Sequence, residues 1–267
     1  MLIYFSKMHA LGNDFVVIDL ITQHLILNKN DIQRLTNRHT GIGCDQLLLI
    51  DPPIRREADF SYRIFNQDGS EAEQCGNGVR CLARFFYDVG LGNKTHLLAD
   101  CLAGSTALEI KSGNSVSVNM GFPIFIPFSD PTFTHMALTV VSLGNPHAII
   151  TVPDIDAPEI PALTEQIRTL SPFALQGINV GFMHIVNRSS IRLRVFERGS
   201  GETFSCGSGA CAAVIAGHQL GLLDSKVTVG FRMGALEIQW NGIQNGITAP
   251  IFMRGPTIHV FTGQFRL

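Results

Sequence analysis

Two cysteines, each opening a Cys-Gly-x-Gly run, carry the most specific chemical signal in this sequence. Cys75 begins Cys75-Gly76-Asn77-Gly78, and Cys206 begins Cys206-Gly207-Ser208-Gly209 at an offset of 131 residues. At that same offset Arg63 matches Arg194, Phe65 matches Phe196, Glu71 matches Glu202 and Gly90 matches Gly221. In both copies a strand-like segment passes through a polar loop to a cysteine that starts a helix. The thiolate is the reactive form of cysteine, with an unperturbed pKa of about 8.5. Unpaired N–H groups at a helix start favour negative charge, so both thiols are expected to ionise more easily than usual. The same N–H groups can hold a carboxylate. Glycines around them leave the approach open.

Duplicated halves related by an approximate two-fold place the two helix starts face to face, with the site in the cleft between them. A carboxylate held there would have a thiol on each side of its neighbouring carbon. That geometry suits inversion of a stereocentre bearing an acidic C–H: one thiolate removes the proton, and the opposite thiol returns one. Charge that moves onto the carboxylate in the transition state is stabilised by preorganised N–H groups. Positioned proton transfer adds roughly 10²–10⁴-fold. A thiol–disulfide pair is the alternative of another class, separated by whether the substrate α-proton exchanges with solvent. A metal site lacks support, because neither cysteine has a C-x-x-C or His partner at ligand spacing. Cys44, Cys81, Cys101 and Cys211 have no repeated surroundings and read as core residues.

The elements that must position these residues can be read in order. Residues 1–20 alternate as a strand or hairpin, broken by the turn Leu11-Gly12-Asn13-Asp14. Asn30-Asp31 can cap a short helix from Ile32 to about Asn37. A Gly-rich loop, Thr40 to Gln46, leads into the buried strand Leu47–Ile50, and Tyr62–Phe65 is another strand. A helix is predicted from Gly76 to Val89, with Val79, Leu82, Ala83, Phe86 and Val89 on one face. Gly121 to Pro127 reads as a crossing between halves. A second Leu-Gly-Asn turn stands at Leu143-Gly144-Asn145. Pro161–Arg168 can be helical, and Ile191–Phe196 alternates as a strand. The second central helix, Gly207 to Leu220, is apolar on every side and should be buried all round. Each half thus has one long helix among many short strands.

The fold expected is α/β (α+β), with two pseudo-symmetric domains. Each is a curled, mostly antiparallel or mixed β-sheet, barrel-like, around a central α-helix. The domains are expected at 1–120, carrying Cys75, and 121–267, carrying Cys206, with the last strand a candidate to return to the first.

Composition narrows the class further. A hydrophobic content of 45% with 16% charged residues belongs to a globular chain. A formal net charge of −2 gives no basic footprint for nucleic acid and no polybasic membrane surface. The first residues lack the apolar core of a signal peptide, and no run reaches the length of roughly 20 residues that a membrane helix needs. A cytoplasmic location is the expectation, with the cysteines as thiols.

These motifs resemble the diaminopimelate epimerases, and the resemblance runs almost end to end. It rests on Met8-His9-Ala10-Leu11-Gly12-Asn13-Asp14-Phe15, with Ala10 where glycine is usual. It rests also on Phe65-Asn66-x-Asp68-Gly69-Ser70 leading to Cys75-Gly76-Asn77-Gly78-x-Arg80-Cys81, and on Gly144-Asn145-Pro146-His147 and Asn179-Val180. The most specific motif is Glu197-Arg198-Gly199-x-Gly201-Glu202-Thr203 leading to Cys206-Gly207-Ser208-Gly209-Ala210-Cys211, with Ser208 where threonine is common.

The resemblance implies conversion of LL-diaminopimelate to the meso form, with Cys75 and Cys206 as the acid–base pair and no PLP, metal or other cofactor. Gly76, Asn77, Gly207 and Ser208 would hold the reacting carboxylate. Asn66, Asn145, Asn179, Glu197 and Arg198 would read the distal amino-acid centre, and Asn13 and Gln46 match further binding positions. His147 and Glu197 would adjust the thiol pKa values. The partner implied is the small-molecule substrate alone, without nucleic acid or membrane. A homodimer is the assembly expected, though no residue pattern fixes it. Proline racemases share the two-cysteine logic, but their signature places His after Cys-Gly, where this chain has Asn77.

Overall fold

The computed structural model describes residues 2–128, 138–170 and 173–267. The described chain divides into two compact units, Met1–Val118 with Gly255–Leu267, and Asn119–Arg254.

In the first unit, β1 (Leu2–Ala10) and β2 (Asn13–Asp19) form an antiparallel hairpin in which Ala10 faces Asn13. Leu11 and Gly12 make the two-residue turn, both with positive φ, 52° and 86°. This is the type I′ pattern that matches strand twist, and the glycine takes the second left-handed position without strain. α1 (Lys29–Thr36) then crosses to β3 (Gln46–Asp51), parallel to β2. The expected cap is displaced: Asn28, not Asn30, caps this helix, and Asp31 completes a capping box as its N3 residue. β4 (Phe60–Asn66) runs antiparallel to β3 and pairs with the short β5 (Glu71–Ala72). The helix α2 (Gly76–Asp88) crosses to β6 (His96–Cys101), parallel to β4, and β7 (Gly104–Lys111) and β8 (Ser115–Asn119) follow as an antiparallel meander.

The second unit repeats this order. β9 (Ile124–Ile126), within the segment read as a crossing, pairs with β10 (Thr139–Ser142), and β10 with β11 (Pro146–Thr151). α3 (Ile160–Thr169) and α4 (Phe173–Gln176) lead to β12 (Asn179–Asn187), parallel to β11. β13 (Ser190–Glu197) and β14 (Gly201–Thr203) continue antiparallel. α5 (Gly207–Gln219) crosses to β15 (Lys226–Phe231), parallel to β13, and β16 (Gly234–Trp240) pairs with it. After the small hairpin of β17 (Ile243–Gln244) and β18 (Ile247–Thr248), β19 (Ile251–Pro256) pairs with β16. β20 (Ile258–Arg266) is part of the first unit, antiparallel to β1 with a bulge at Lys7/Met8.

Period-two alternation splits each sheet between two helices. In the first unit Ile3, Phe5, Val16, Ile18, Leu47 and Leu49 pack with Ile32 and Leu35 of α1. The opposite face serves α2, which contacts β1, β2, β3 and β7. In the second unit Val140, Ala148, Ile150, Val180 and Phe182 pack with Ile160 and Ile167 of α3. α5 contacts β10, β11, β12, β13, β15 and β16, so that sheet curls around it. Each fully buried Leu, Ile or Phe contributes about 1.5–3 kcal/mol. α5 is buried on every side, as its sequence requires, and a methyl at Gly217 would come within 2.3 Å of Leu223.

The two central helices end alike. Gly90 N–H bonds Tyr87 C=O and Leu91 N–H bonds Phe86 C=O; Gly221 and Leu222 repeat this with His218 and Gly217. Both are Schellman caps, whose left-handed residue is glycine, φ 76° and 72°. Val89, read as the last residue of the α2 stripe, is instead its exposed C-cap. Cys44, Cys81 and Cys211 are buried, whereas Cys101 is only partly so and does not belong to the core. Among the described residues no helix is long and apolar enough to cross a membrane.

Candidate active site

In the first unit, Cys75 is the N-cap of α2, in extended conformation (φ −144°, ψ 109°), and its Sγ accepts from Gly78 N–H at 3.3 Å. A hydrogen bond received at sulfur favours the charged form. The Leu11-Gly12 turn sets Asn13 beside it, and Cys75 Sγ donates to Asn13 Oδ1 at 3.9 Å. Asn77 Nδ2 donates to the same Oδ1 at 3.3 Å, and Arg80 Nη2 donates to Asn77 Oδ1 at 2.9 Å. Asn13 Nδ2 donates to Asp45 Oδ2 at 3.1 Å. Gln46 and Asn66 face one another across β3 and β4, joined by Gln46 Nε2 to Asn66 Oδ1 at 3.0 Å. Asp14 supports this end of the sheet. Burial alone would raise its pKa, but hydrogen bonds from Arg38 and Lys7 outweigh that and hold the carboxyl well below the usual range.

In the second unit, Cys206 holds the matching N-cap position of α5. It is buried, and its Sγ donates to Glu197 Oε2 at 3.3 Å. Thr203 Oγ1 donates to the other oxygen of Glu197 at 2.6 Å. Ser208 Oγ lies 3.6 Å from the sulfur and 2.9 Å from His147 Nε2. His147 Nε2 is also 3.2 Å from Asn145 Oδ1, an acceptor, so this nitrogen carries the proton. Burial pushes His147 down to about 3, which leaves it neutral. The helix start was expected to lower the Cys206 pKa. The opposite holds: burial raises it well above the ordinary value, and the Glu197 carboxylate adds to the rise. Desolvation and a nearby like charge outweigh the helix-end field here.

Asn179 orders the loop beyond: its Nδ2 donates to Pro146 C=O at 3.1 Å and its Oδ1 accepts from Arg198 N–H at 2.9 Å. The Arg198 guanidinium donates to Gln176 C=O at 2.8 Å, and its side chain lies across Gly177 (φ 70°), where a methyl would meet Cδ at 2.5 Å.

The structure therefore brings Cys75, Gly76, Asn13 and Asn77 together, joins Gln46 to Asn66, and gathers Cys206, Gly207, Ser208, Glu197, His147 and Asn145. Arg198 joins Asn179 through its backbone. Four contributors escaped the sequence reading. Asp45 stands in the Gly-rich loop next to Gln46, and Arg80 inside the first cysteine motif one helical turn past Asn77; their charge at those places was the local signal. Thr203 was quoted without a role, and Gly177 carries no sequence signal beyond being glycine.

The matched positions also differ in kind. Pairing places Phe15 opposite Gln46 where the second unit places His147 opposite Asn179, and the 131 offset puts Asn66 at the position of Glu197. Each sulfur receives a backbone N–H, from Gly78 at Cys75 and Gly209 at Cys206, but Cys75 donates to the neutral Asn13 amide and Cys206 to the Glu197 carboxylate.

A sequence model described as diaminopimelate epimerase matches the chain twice, at residues 5–126 and 139–260. Diaminopimelate epimerase of Acinetobacter baumannii (strain AYE) is 45% identical over 282 aligned residues, covering 100% of this chain and 98% of that protein. The enzyme of Acinetobacter baylyi (strain ATCC 33305 / BD413 / ADP1) is similar to the same extent. Among solved structures, a Bacillus anthracis phenazine biosynthesis protein of the PhzF family superposes with a TM-score of 0.75 at 16% identity, covering both chains fully. A probable proline racemase from Agrobacterium radiobacter K84 gives 0.73 at 16% identity, covering 99% of this chain and 93% of that one. These distant likenesses speak for the fold, whereas the doubled family match and the full-length identity show more: this chain belongs to the diaminopimelate epimerase family.

Proposed function

We propose that this protein epimerises LL-2,6-diaminopimelate to meso-diaminopimelate by a two-base reaction of Cys75 and Cys206, without PLP. The observation that carries the reading is the unequal environment of the two duplicated thiols. Cys206 is buried, protonated and donating to Glu197, as an acid should be. Cys75 receives an N–H at a helix start, and the acceptor of its own proton is the neutral Asn13 amide rather than a carboxylate, as suits a base. Cys75 takes the α-proton of the LL substrate, electron density moves into the carboxylate, and Cys206 delivers its proton to the opposite face. In the reverse direction the roles swap, and exchange with solvent resets the pair. The backbone at Gly76, Asn77, Gly207 and Ser208 holds the reacting carboxylate, where transition-state charge gathers.

Asn66, Asn145, Asn179, Glu197 and Arg198 read the distal centre, with Asn13 and Gln46 completing the set. Arg198 can pair a carboxylate bidentately. A carboxylate has about four lone-pair sites, so Glu197 can accept from a substrate ammonium beside Cys206 and Thr203. The reaction supplies precursors for lysine and peptidoglycan and takes place in the cytoplasm. The enzyme acts as a homodimer. The apolar side chains that β1 and β20 leave exposed, Leu2, Tyr4 and Val260, offer a surface for that contact, and sedimentation of a Tyr4→Glu variant tests it.

The deciding experiment is incubation with LL-diaminopimelate in deuterium oxide without PLP. Deuterium should enter the α-carbon as the meso product forms. Replacing either Cys75 or Cys206 by Ala should abolish epimerisation, and full activity in either variant overturns the two-base scheme.

A further inference from the structure

Arg80 is wholly buried in the second turn of α2. Its Nη1 reaches Gly76 C=O at 3.3 Å and its Nη2 donates to Asn77 Oδ1 at 2.9 Å. That bond turns the Asn77 amide so that Nδ2 points to Asn13 Oδ1. At the far end Asp45 accepts from Asn13 Nδ2, which turns the same Oδ1 toward Cys75 Sγ. A buried cation and a carboxylate thus fix two amides in series, and the Cys75 thiol donates to the fixed oxygen. The second unit lacks this chain: the 131 offset places Cys211 at the position of Arg80 and Ser208 at that of Asn77.

We propose that Arg80 is a positioning residue for Cys75, acting through Asn77 and Asn13, and that it distinguishes the first thiol from the second. The inference rests on the two-base reading for its role in turnover. Its geometric core concerns Cys75 alone and is measurable without substrate. Removing Arg80 frees the Asn77 amide to flip, which takes its Nδ2 away from Asn13 Oδ1 and leaves that oxygen to accept from the Cys75 thiol alone, favouring the protonated form. A buried guanidinium near the helix start also favours a thiolate there. Tyr62 on β4 and Cys81 on α2 also interact with Cys75, and burial raises both, Cys81 to about 12, so they stay neutral. Asp45, at the far end of the series, is bonded to Arg38.

The test uses the full chain carrying Cys206→Ala, with iodoacetamide at neutral pH and peptide mass spectrometry to follow Cys75. Arg80→Met should slow alkylation of Cys75 by about tenfold, one pKa unit's worth of thiolate, while Arg80→Lys recovers most of it. With Cys206 restored, kcat should fall in Arg80→Met with KM little changed. A folded Arg80→Met protein, verified by its melting curve, that alkylates at the parental rate overturns the proposal. Should that variant not fold, Asn77→Ser interrupts the same chain with Arg80 in place. It should slow alkylation likewise, and parental reactivity there overturns the proposal equally. Where both single variants fold, the double variant should be no slower than the worse of them, and additive losses would contradict a shared chain. Loss of two-base turnover in the deuterium experiment, with these alkylation effects intact, would fault the reaction and spare the positioning.

Discussion

Cys206 Sγ and Glu197 Oε2 stand 3.3 Å apart as thiol donor and carboxylate acceptor. No sequence-matched carboxylate serves Cys75, whose unit has Asn66 at the corresponding position. The duplicated cysteines therefore donate to acceptors of different charge, the Glu197 carboxylate at Cys206 and the Asn13 amide oxygen at Cys75.

Glu197→Gln removes the charge that helps to raise the Cys206 pKa, although burial remains. In a Cys75→Ala background, alkylation of Cys206 should then set in at lower pH than with Glu197. With both cysteines present, kcat should drop by roughly 10²-fold, the scale of one positioned acid–base group. Unchanged alkylation would mean that the carboxylate does not control the thiol.

His147 gives a signature in stability against pH. Its pKa falls from 6.5 unfolded to about 3 folded, through burial. Between those values the unfolded chain binds a proton that the folded chain does not, so stability is lost as pH falls below about 6.5. The slope for one proton is about 1.4 kcal/mol per pH unit. His147→Gln should show a shallower decline between pH 6.5 and 4.5 in denaturant titrations, and parallel curves would count against a neutral buried imidazole.

Gly177→Ala should act on Arg198. Alanine is strained at φ 70°, and its methyl would press on Cδ of the arginine. The guanidinium then leaves its place at Gln176. Losing one charged hydrogen-bond partner, worth about 1.5 kcal/mol, should raise KM for diaminopimelate by about tenfold, with a smaller change in kcat. Steady-state kinetics decides, and an unaltered KM would remove Arg198 from the binding set.

Gly41→Ala is a stability test away from both thiols. A methyl there would come within 1.9 Å of the Arg34 carbonyl oxygen, a backbone atom that cannot rotate aside. Overpacking of this kind costs about 1–3 kcal/mol, so thermal unfolding should move down by several degrees while KM stays near parental.

Much of this architecture is written locally. The glycines at 90 and 221, the Leu-Gly-Asn turns and the apolar circumference of α5 each act within a few residues, so spacing alone reveals them. The same holds for the cysteines as helix caps. What spacing does not carry is what packs around a cap. Cys206 has the same local helix start as Cys75, yet desolvation by neighbours distant in sequence reverses the expected direction of its pKa. Asn28 supplanted Asn30 as the cap of α1 because Asp31, three residues on, closes the capping box. Arg80 is similar: it lies off the apolar stripe of α2, and nothing local marks it as buried.

The pairing of β20 with β1 has a consequence for biogenesis. β1 waits for a partner that the ribosome makes more than 240 residues later, Leu2 against Arg266. Asn119–Arg254, by contrast, is one contiguous stretch whose contacts are mostly its own. The half synthesised first is thus completed last, and until then its leading strand presents an open edge of the kind that recruits unwanted strands.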